Sequence, residues 1–317
     1  MSTAVVFPGQ GSQIVGMGKE IADSYKEAKY VFEKIDESLK QNLSKIIFEG
    51  PIEDLTLTAN TQPALMAVSM AIMAVLEKQI SFQLKKSAKF CAGHSLGEYT
   101  ALAAAQSFSI ETAAKLLRIR GSAMQEASPI GQGAMAALIG VSIEEAEVLA
   151  QQAALSEVCQ VANDNTIGQV VVSGHKNAIN RLIVLAQEKG KKAIVLPVSA
   201  PFHSILMAPA TQIMEDALNQ IEIKAPVIPI IANVVGHPVS DPEQIKELLV
   251  KQVENRVRWR ESVLCLLANE VDHFIEIGAG KVLAGLVKKI NPSVKITSIN
   301  NLETLNSFME EVGILAI

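Results

Sequence analysis

Ser95 stands in the run Gly93-His94-Ser95-Leu96-Gly97, after the apolar residues Phe90-Cys91-Ala92 and before an Ala-rich stretch, 98–106. A serine in G-x-S-x-G between a strand and a helix is the pattern of a nucleophile elbow. Two glycines permit a turn sharp enough to strain the serine backbone. The helix behind it points free N–H groups and its positive dipole end at developing negative charge. The chemistry that follows is acyl transfer through a covalent ester, with Ser95 as nucleophile. The same residues also describe a tight strand-to-helix turn with an idle serine, so its partners decide the matter.

A serine hydroxyl is a weak nucleophile at neutral pH and needs a base, most often histidine. The chain has five histidines. His94 adjoins Ser95 and is expected to point away from the elbow. His175, His237 and His273 fall at turns or strand starts, where a solvated polar side chain is the simpler reading. His203 lies in Pro201-Phe202-His203-Ser204, a Pro-stiffened loop leading into a helix, and is either the base or a helix cap.

The loop Phe7-Pro8-Gly9-Gln10-Gly11-Ser12-Gln13 follows a strand and invites a dinucleotide reading. That reading fails, because G-x-G-x-x-G needs glycine where Ile14 stands, and no phosphate-binding G-x-x-x-x-G-K-[ST] occurs. A glycine loop still brings backbone N–H groups near a ligand. Gln10 is thus a second donor to an oxyanion beside the Leu96 amide, although a plain turn explains the loop equally well. Arg118 and Arg120 sit two apart on a helix expected over 111–127, so at most one faces a cleft. A guanidinium there would grip a carboxylate bidentately.

These groups need a scaffold, and 317 residues of which 49% are hydrophobic can fill one large α/β domain carrying a smaller one. Segments alternate as strand 4–7, helix 17–39, helix 64–79, strand 89–92 and helix 96–106, which implies a parallel sheet covered by helices. Shorter units follow: strand 134–139, helix 142–155, strands 158–162 and 170–173, helix 177–189 and strand 193–197. This β-α-β-β-α-β order is ferredoxin-like. Strands at 227–232, 273–277 and 294–299 then resume the longer pattern. The expected division is a large domain of 1–130 and 200–317 and a small one of 131–199, with the cleft between them.

A net charge of -5 without a basic block interleaved with aromatics argues against nucleic acid. The start of the chain lacks a basic n-region and reads as a strand. The apolar run 64–76 is shorter than the ~20 residues that span a bilayer, so it is expected as a buried helix and no membrane is expected as a partner. Three cysteines without metal-ligand spacing suit reduced, buried thiols and the cytoplasm.

Seven ordered motifs run nearly end to end: FPGQGSQ at 7–13, GHSLGEYTAL at 93–102, RGSAMQEA at 120–127, NDNTIGQVVVSG at 163–174, LPVSAPFHS at 196–204, KQVENRVRW at 251–259 and EIGAGKVLAGL at 276–286. Together they resemble the malonyl-CoA:acyl carrier protein transacylase family of fatty acid synthesis. The resemblance implies a hydrolase-like α/β domain with an inserted ferredoxin-like domain. It also implies malonyl-CoA and holo acyl carrier protein as partners, and chemistry that needs no metal or tightly held cofactor. By the same resemblance Ser95 is the nucleophile, His203 the base, Arg120 the clamp for the malonyl carboxylate, and the Gln10 and Leu96 amides the oxyanion hole. Gln252 matches the position whose main-chain carbonyl orients the histidine, and Asn163 a polar residue of the cleft. Ala279 and Arg256 stand where the family usually has proline, and Phe202 resembles the malonyl-selective form. A serine thioesterase or esterase is the competing reading, and it would add an acidic triad partner. Lys189, Lys191 and Lys192, or Lys281, Lys288 and Lys289, are two candidate basic patches for an acidic carrier.

Overall fold

A computed structural model describes residues 2–129, 131–198 and 200–315. Residue 199, the expected end of the small domain, lies outside them. The strands are β1 (Thr3–Phe7), β2 (Phe90–Gly93), β3 (Gly133–Ile139), β4 (Cys159–Thr166), β5 (Gln169–His175), β6 (Lys192–Val195), β7 (Ile230–Ile231), β8 (Pro238–Val239), β9 (His273–Ile277) and β10 (Lys295–Ile299). Six of them form one sheet in the order β10-β9-β1-β2-β7-β8, parallel except for the β7–β8 pair at its edge.

Side-chain alternation in these strands feeds two cores. Val5 and Phe7 of β1, Cys91 of β2 and Ile275 and Ile277 of β9 enter one core, while Ala4, Val6, Phe90, Ala92 and Phe274 enter the other. Burial on both faces is why β1 and β2 read as continuous apolar runs rather than alternating ones. The Thr58–Ile80 helix fills the first core. It is long and apolar enough to cross a membrane, yet 83% of its apolar window is buried inside the fold.

The remaining strands form an antiparallel sheet, β4-β5-β3-β6. The Ile143–Ala154 and Lys176–Glu188 helices pack on one face against Ala136, Leu138 and Val172, completing a ferredoxin-like unit. Its other face contributes Met135, Ala137 and Val171 to the main core. The small sheet is therefore seated directly on the large unit, and a cavity opens at the junction.

Four expectations need correction. The helix over 17–39 is two helices, Lys19–Ser24 and Lys26–Leu39. Between them Tyr25 is extended (φ -129°, ψ 120°) and donates its hydroxyl to Asn306 Oδ1 at 2.7 Å. The helix expected from 64 starts at Thr58 and carries Pro63 inside it, in its second turn, where the proline forfeits one intrahelical hydrogen bond. The strand over 227–232 shrinks to Ile230–Ile231, because Pro229 has no N–H to give a ladder. Finally, β4 runs on to Thr166 through two register shifts, one on each side of the Asn163–Asp164 pair. Such bulges re-aim side chains beside sites.

Candidate active site

The elbow is built by close backbone approach. After β2 the chain turns at His94 and Ser95 into the Leu96–Ala104 helix, with Ser95 at φ 53° and ψ -112°. A Cβ on Gly93 would lie 1.9 Å from the Gly97 carbonyl, and one on Gly97 would lie 2.4 Å from Phe7 O. Only glycine fits at either place. A non-glycine residue in such a conformation costs about 1–3 kcal/mol and persists only where its surroundings over-determine it.

Hydrogen bonds around the turn do that. His94 N donates to Phe7 O (3.1 Å), Gly97 N to His94 O (2.9 Å) and Glu98 N to Ser95 O (3.0 Å). Ser95 N donates to Asn233 Oδ1 at 2.7 Å. The N–H groups of Leu96 and Gln10 find no acceptor among the described residues, and both residues line the cavity. Unsatisfied amides facing a pocket are what an oxyanion hole requires.

His203 meets Ser95 from the other side of the cleft. Its Nε2 is 2.8 Å from Ser95 Oγ, and its Nδ1 faces the main-chain oxygens of Gln252 (2.9 Å) and Asn255 (3.1 Å). Two carbonyl acceptors assign the proton to Nδ1 and leave the Nε2 lone pair for the serine hydroxyl. Burial, reinforced by the positive charge of Arg120, pushes the imidazole down to about 3. The ring is therefore neutral at any physiological pH, ready to accept a proton.

Arg120 projects from the Ile110–Glu126 helix and is 1% exposed. It donates through Nη1 to Gln62 Oε1 (2.8 Å), and through Nη2 to Gln252 Oε1 (2.8 Å) and Ser95 Oγ (3.1 Å). The Tyr99 ring lies 5.6 Å from its Cζ, an attractive cation–π distance. Arg118 faces elsewhere and binds Asn60 Oδ1 and Gln41. Gln252 thus works twice: its carbonyl orients His203 and its side chain orients Arg120. Its Nε2 is anchored on Ser95 O (3.1 Å) and Glu98 Oε2 (2.7 Å). Burial pushes the Glu98 carboxyl up to about 7.

The cavity over these groups has a volume of about 490 Å³. Asn163 lines it from β4, and Phe202, Met124, Met135, Leu196 and Val198 make an apolar wall. His94 also lines it, with Nε2 2.9 Å from Asn165 Oδ1 and the ring 5.7 Å from Trp259. Its ring is thus engaged with Asn165 while Ser95 Oγ pairs with His203, in keeping with the expectation that His94 points away from the elbow. Of the two lysine groups, Lys191 is tied to Gly140 O and Glu145, and Lys288 to the carbonyls of Pro292 and Val294.

Sequence reasoning missed Gln62, Glu98 and Asn233. Glu98 lies inside the GHSLGEYTAL motif, and Asn233 follows a strand at the carboxyl end of a parallel sheet, a place that favours sites. Gln62 fell before the helix expected over 64–79, whereas the helix in fact starts at Thr58.

A strained serine, a neutral imidazole and two open amides beneath a cavity are the parts that serine-dependent acyl transfer requires. The chain belongs to the acyl transferase domain family, whose model matches residues 4–302. Similar to it is the malonyl CoA-acyl carrier protein transacylase of Bacillus subtilis strain 168, 45% identical over 307 residues that cover 95% of this chain and 94% of the relative. The solved acyl-carrier-protein-S-malonyltransferase of Bartonella henselae is 50% identical with a TM-score of 0.96, covering 99% of this chain and all (100%) of that one. A malonyl-transacylase in complex with its type II PKS acyl-carrier protein is 36% identical with a TM-score of 0.94, covering 98% of this chain and 100% of that one.

Proposed function

We propose that this protein transfers the malonyl group of malonyl-CoA to the phosphopantetheine thiol of acyl carrier protein, through a malonyl ester on Ser95, supplying extender units for fatty acid synthesis. The observation that carries this reading is the buried Arg120 guanidinium 3.1 Å from Ser95 Oγ. A fixed positive charge beside the nucleophile suits an acyl group that ends in a carboxylate.

In the first half-reaction Ser95 Oγ attacks the thioester carbonyl while its proton passes to His203 Nε2. The oxyanion rests on the Gln10 and Leu96 amides. Collapse breaks the C–S bond, and CoA leaves with the proton that His203 returns. In the second half-reaction the carrier thiol gives its proton to His203 and its sulfur attacks the ester. The C–O bond then breaks and Ser95 recovers the proton. Gln252 holds base and clamp in place, and Asn163 offers a polar contact from the cavity wall. The malonyl carboxylate neutralises Arg120, whose charge helps hold His203 down, so the base strengthens when the right acyl group is seated.

The site lies where a large domain of 1–130 and 200–317 meets a small one of 131–199, in our reading of the chain. The cytoplasm, a reducing compartment, suits the free cysteines Cys91, Cys159 and Cys265. A hydrolase would put a carboxylate on His203 Nδ1, where Gln252 and Asn255 present carbonyls instead. The test is product analysis with malonyl-CoA and holo carrier protein: malonyl-carrier protein is expected to form much faster than free malonate. Hydrolysis as fast as transfer would instead identify a thioesterase.

A further inference from the structure

One buried side chain beside the nucleophile has no part in the steps above. Asn233 follows β7, is 1% exposed and lies outside the cavity wall. Its side-chain amide and its backbone N–H all bond to the elbow and its flanking helix. Its Nδ2 donates to Gly93 O and its Oδ1 accepts from Ser95 N, each at 2.7 Å. Its own N–H donates to Glu98 Oε2 at 3.0 Å, and its carbonyl accepts from Arg258 N at 2.9 Å.

The elbow leaves one acceptor, Gly93 O, and one donor, Ser95 N, at the end of β2 where the parallel ladder stops. A primary amide carries one donor group and one acceptor in a plane, and so closes this gap in a single side chain. Because Ser95 N is taken, the next amide, Leu96 N, is the one left to face the cavity. We propose that Asn233 is a positioning residue for the nucleophile: its amide holds the Ser95 backbone in the strained turn and so aims both Oγ and the Leu96 N–H. The inference rests on the acyl-transfer reading of the preceding section.

Asn233→Ala is expected to lower kcat about ten- to hundred-fold, the scale of a small misplacement at a reacting centre. KM for malonyl-CoA and the preference for malonyl over acetyl should hold, because Arg120 keeps its own partners. Asn233→Asp gives a readout that a merely structural role does not move. Ionised, the new carboxylate accepts from Ser95 N but cannot donate to Gly93 O; protonated, it restores both bonds. The ionisable groups around it are Glu98 and His94 at the elbow, Arg258 behind it paired with Glu261, and His203 and Arg120 across Ser95. The ratio of Asn233→Asp to wild-type kcat is expected to rise as pH falls. Wild-type kcat in Asn233→Ala, or a ratio flat with pH in a folded Asn233→Asp, overturns the inference; if the aspartate variant does not fold, the kcat and KM of the alanine variant decide alone. Failure of the wild type to acylate Ser95 would sink the transfer reading itself, a separate result from an unimpaired variant of an enzyme that does.

Discussion

Replacing Arg120 by alanine should change which acyl group the protein selects more than whether it folds around one. The guanidinium is 1% exposed and its Nη1 and Nη2 are fixed on Gln62, Gln252 and Ser95, so a malonyl carboxylate meets a charge that is already oriented. Truncating one partner of such a buried charged pair costs about 2–5 kcal/mol. At about 1.4 kcal/mol per decade, kcat/KM for malonyl-CoA should fall by about thirty-fold to several thousand-fold. Acetyl-CoA has no carboxylate to lose and no longer leaves a buried cation unpaired, so its rate should hold or rise. The base stays in place, because His203 is held by the main chain of Gln252 and Asn255. The assay is quenched-flow acylation of Ser95 by each donor, read by mass spectrometry. Arg118→Ala, whose guanidinium binds Asn60 and Gln41 on another face, is the control and should keep malonyl selectivity. An unchanged malonyl-to-acetyl ratio in Arg120→Ala would refute the clamp.

His203→Ala should lower kcat by about 10²–10⁴-fold, the usual contribution of a positioned base, measured as the rate of Ser95 acylation. The same histidine ties stability to pH. It titrates near 6.5 when unfolded and near 3 when folded, so between those values only the unfolded chain binds the proton and stability rises with pH. Glu98 runs the other way: its carboxyl is raised from 4.5 to about 7, so its contribution is present at low pH and lost as pH climbs through that window. Denaturant titrations of wild type and His203→Asn should therefore show a stability difference that grows in favour of wild type from pH 3 to 6.5, and a flat difference would contradict the buried neutral ring. Gly93→Ala should cost at least about 3 kcal/mol by overpacking, since its Cβ would sit 1.9 Å from the Gly97 carbonyl; a variant with wild-type stability would mean the elbow is looser than described.

Local signals made the strand-turn-helix around Ser95 and the ferredoxin-like strand order legible, because each rests on neighbouring residues. The pairing of Ser95 with His203 is a contact across 108 positions, which no spacing encodes; the Pro-stiffened loop left His203 as either base or helix cap, and the resemblance of the motifs favoured the base. Tertiary demands also decided where elements ended. The helix expected from 64 begins instead at Thr58 and so carries Gln62 to Arg120. No glycine or proline marks the break at Tyr25, which is instead occupied by a bond to the distant Asn306. Glu98 and Asn233 look like an ordinary helix acid and a turn residue, and their role arises only where two strands and a helix converge.

The most direct test is the intact mass and peptide map of the protein after brief mixing with malonyl-CoA. A gain of one malonyl group on the peptide bearing Ser95, absent in Ser95→Ala and discharged by holo carrier protein, is the result expected. A malonyl adduct that survives in Ser95→Ala, or that the carrier thiol cannot remove, would contradict the assignment.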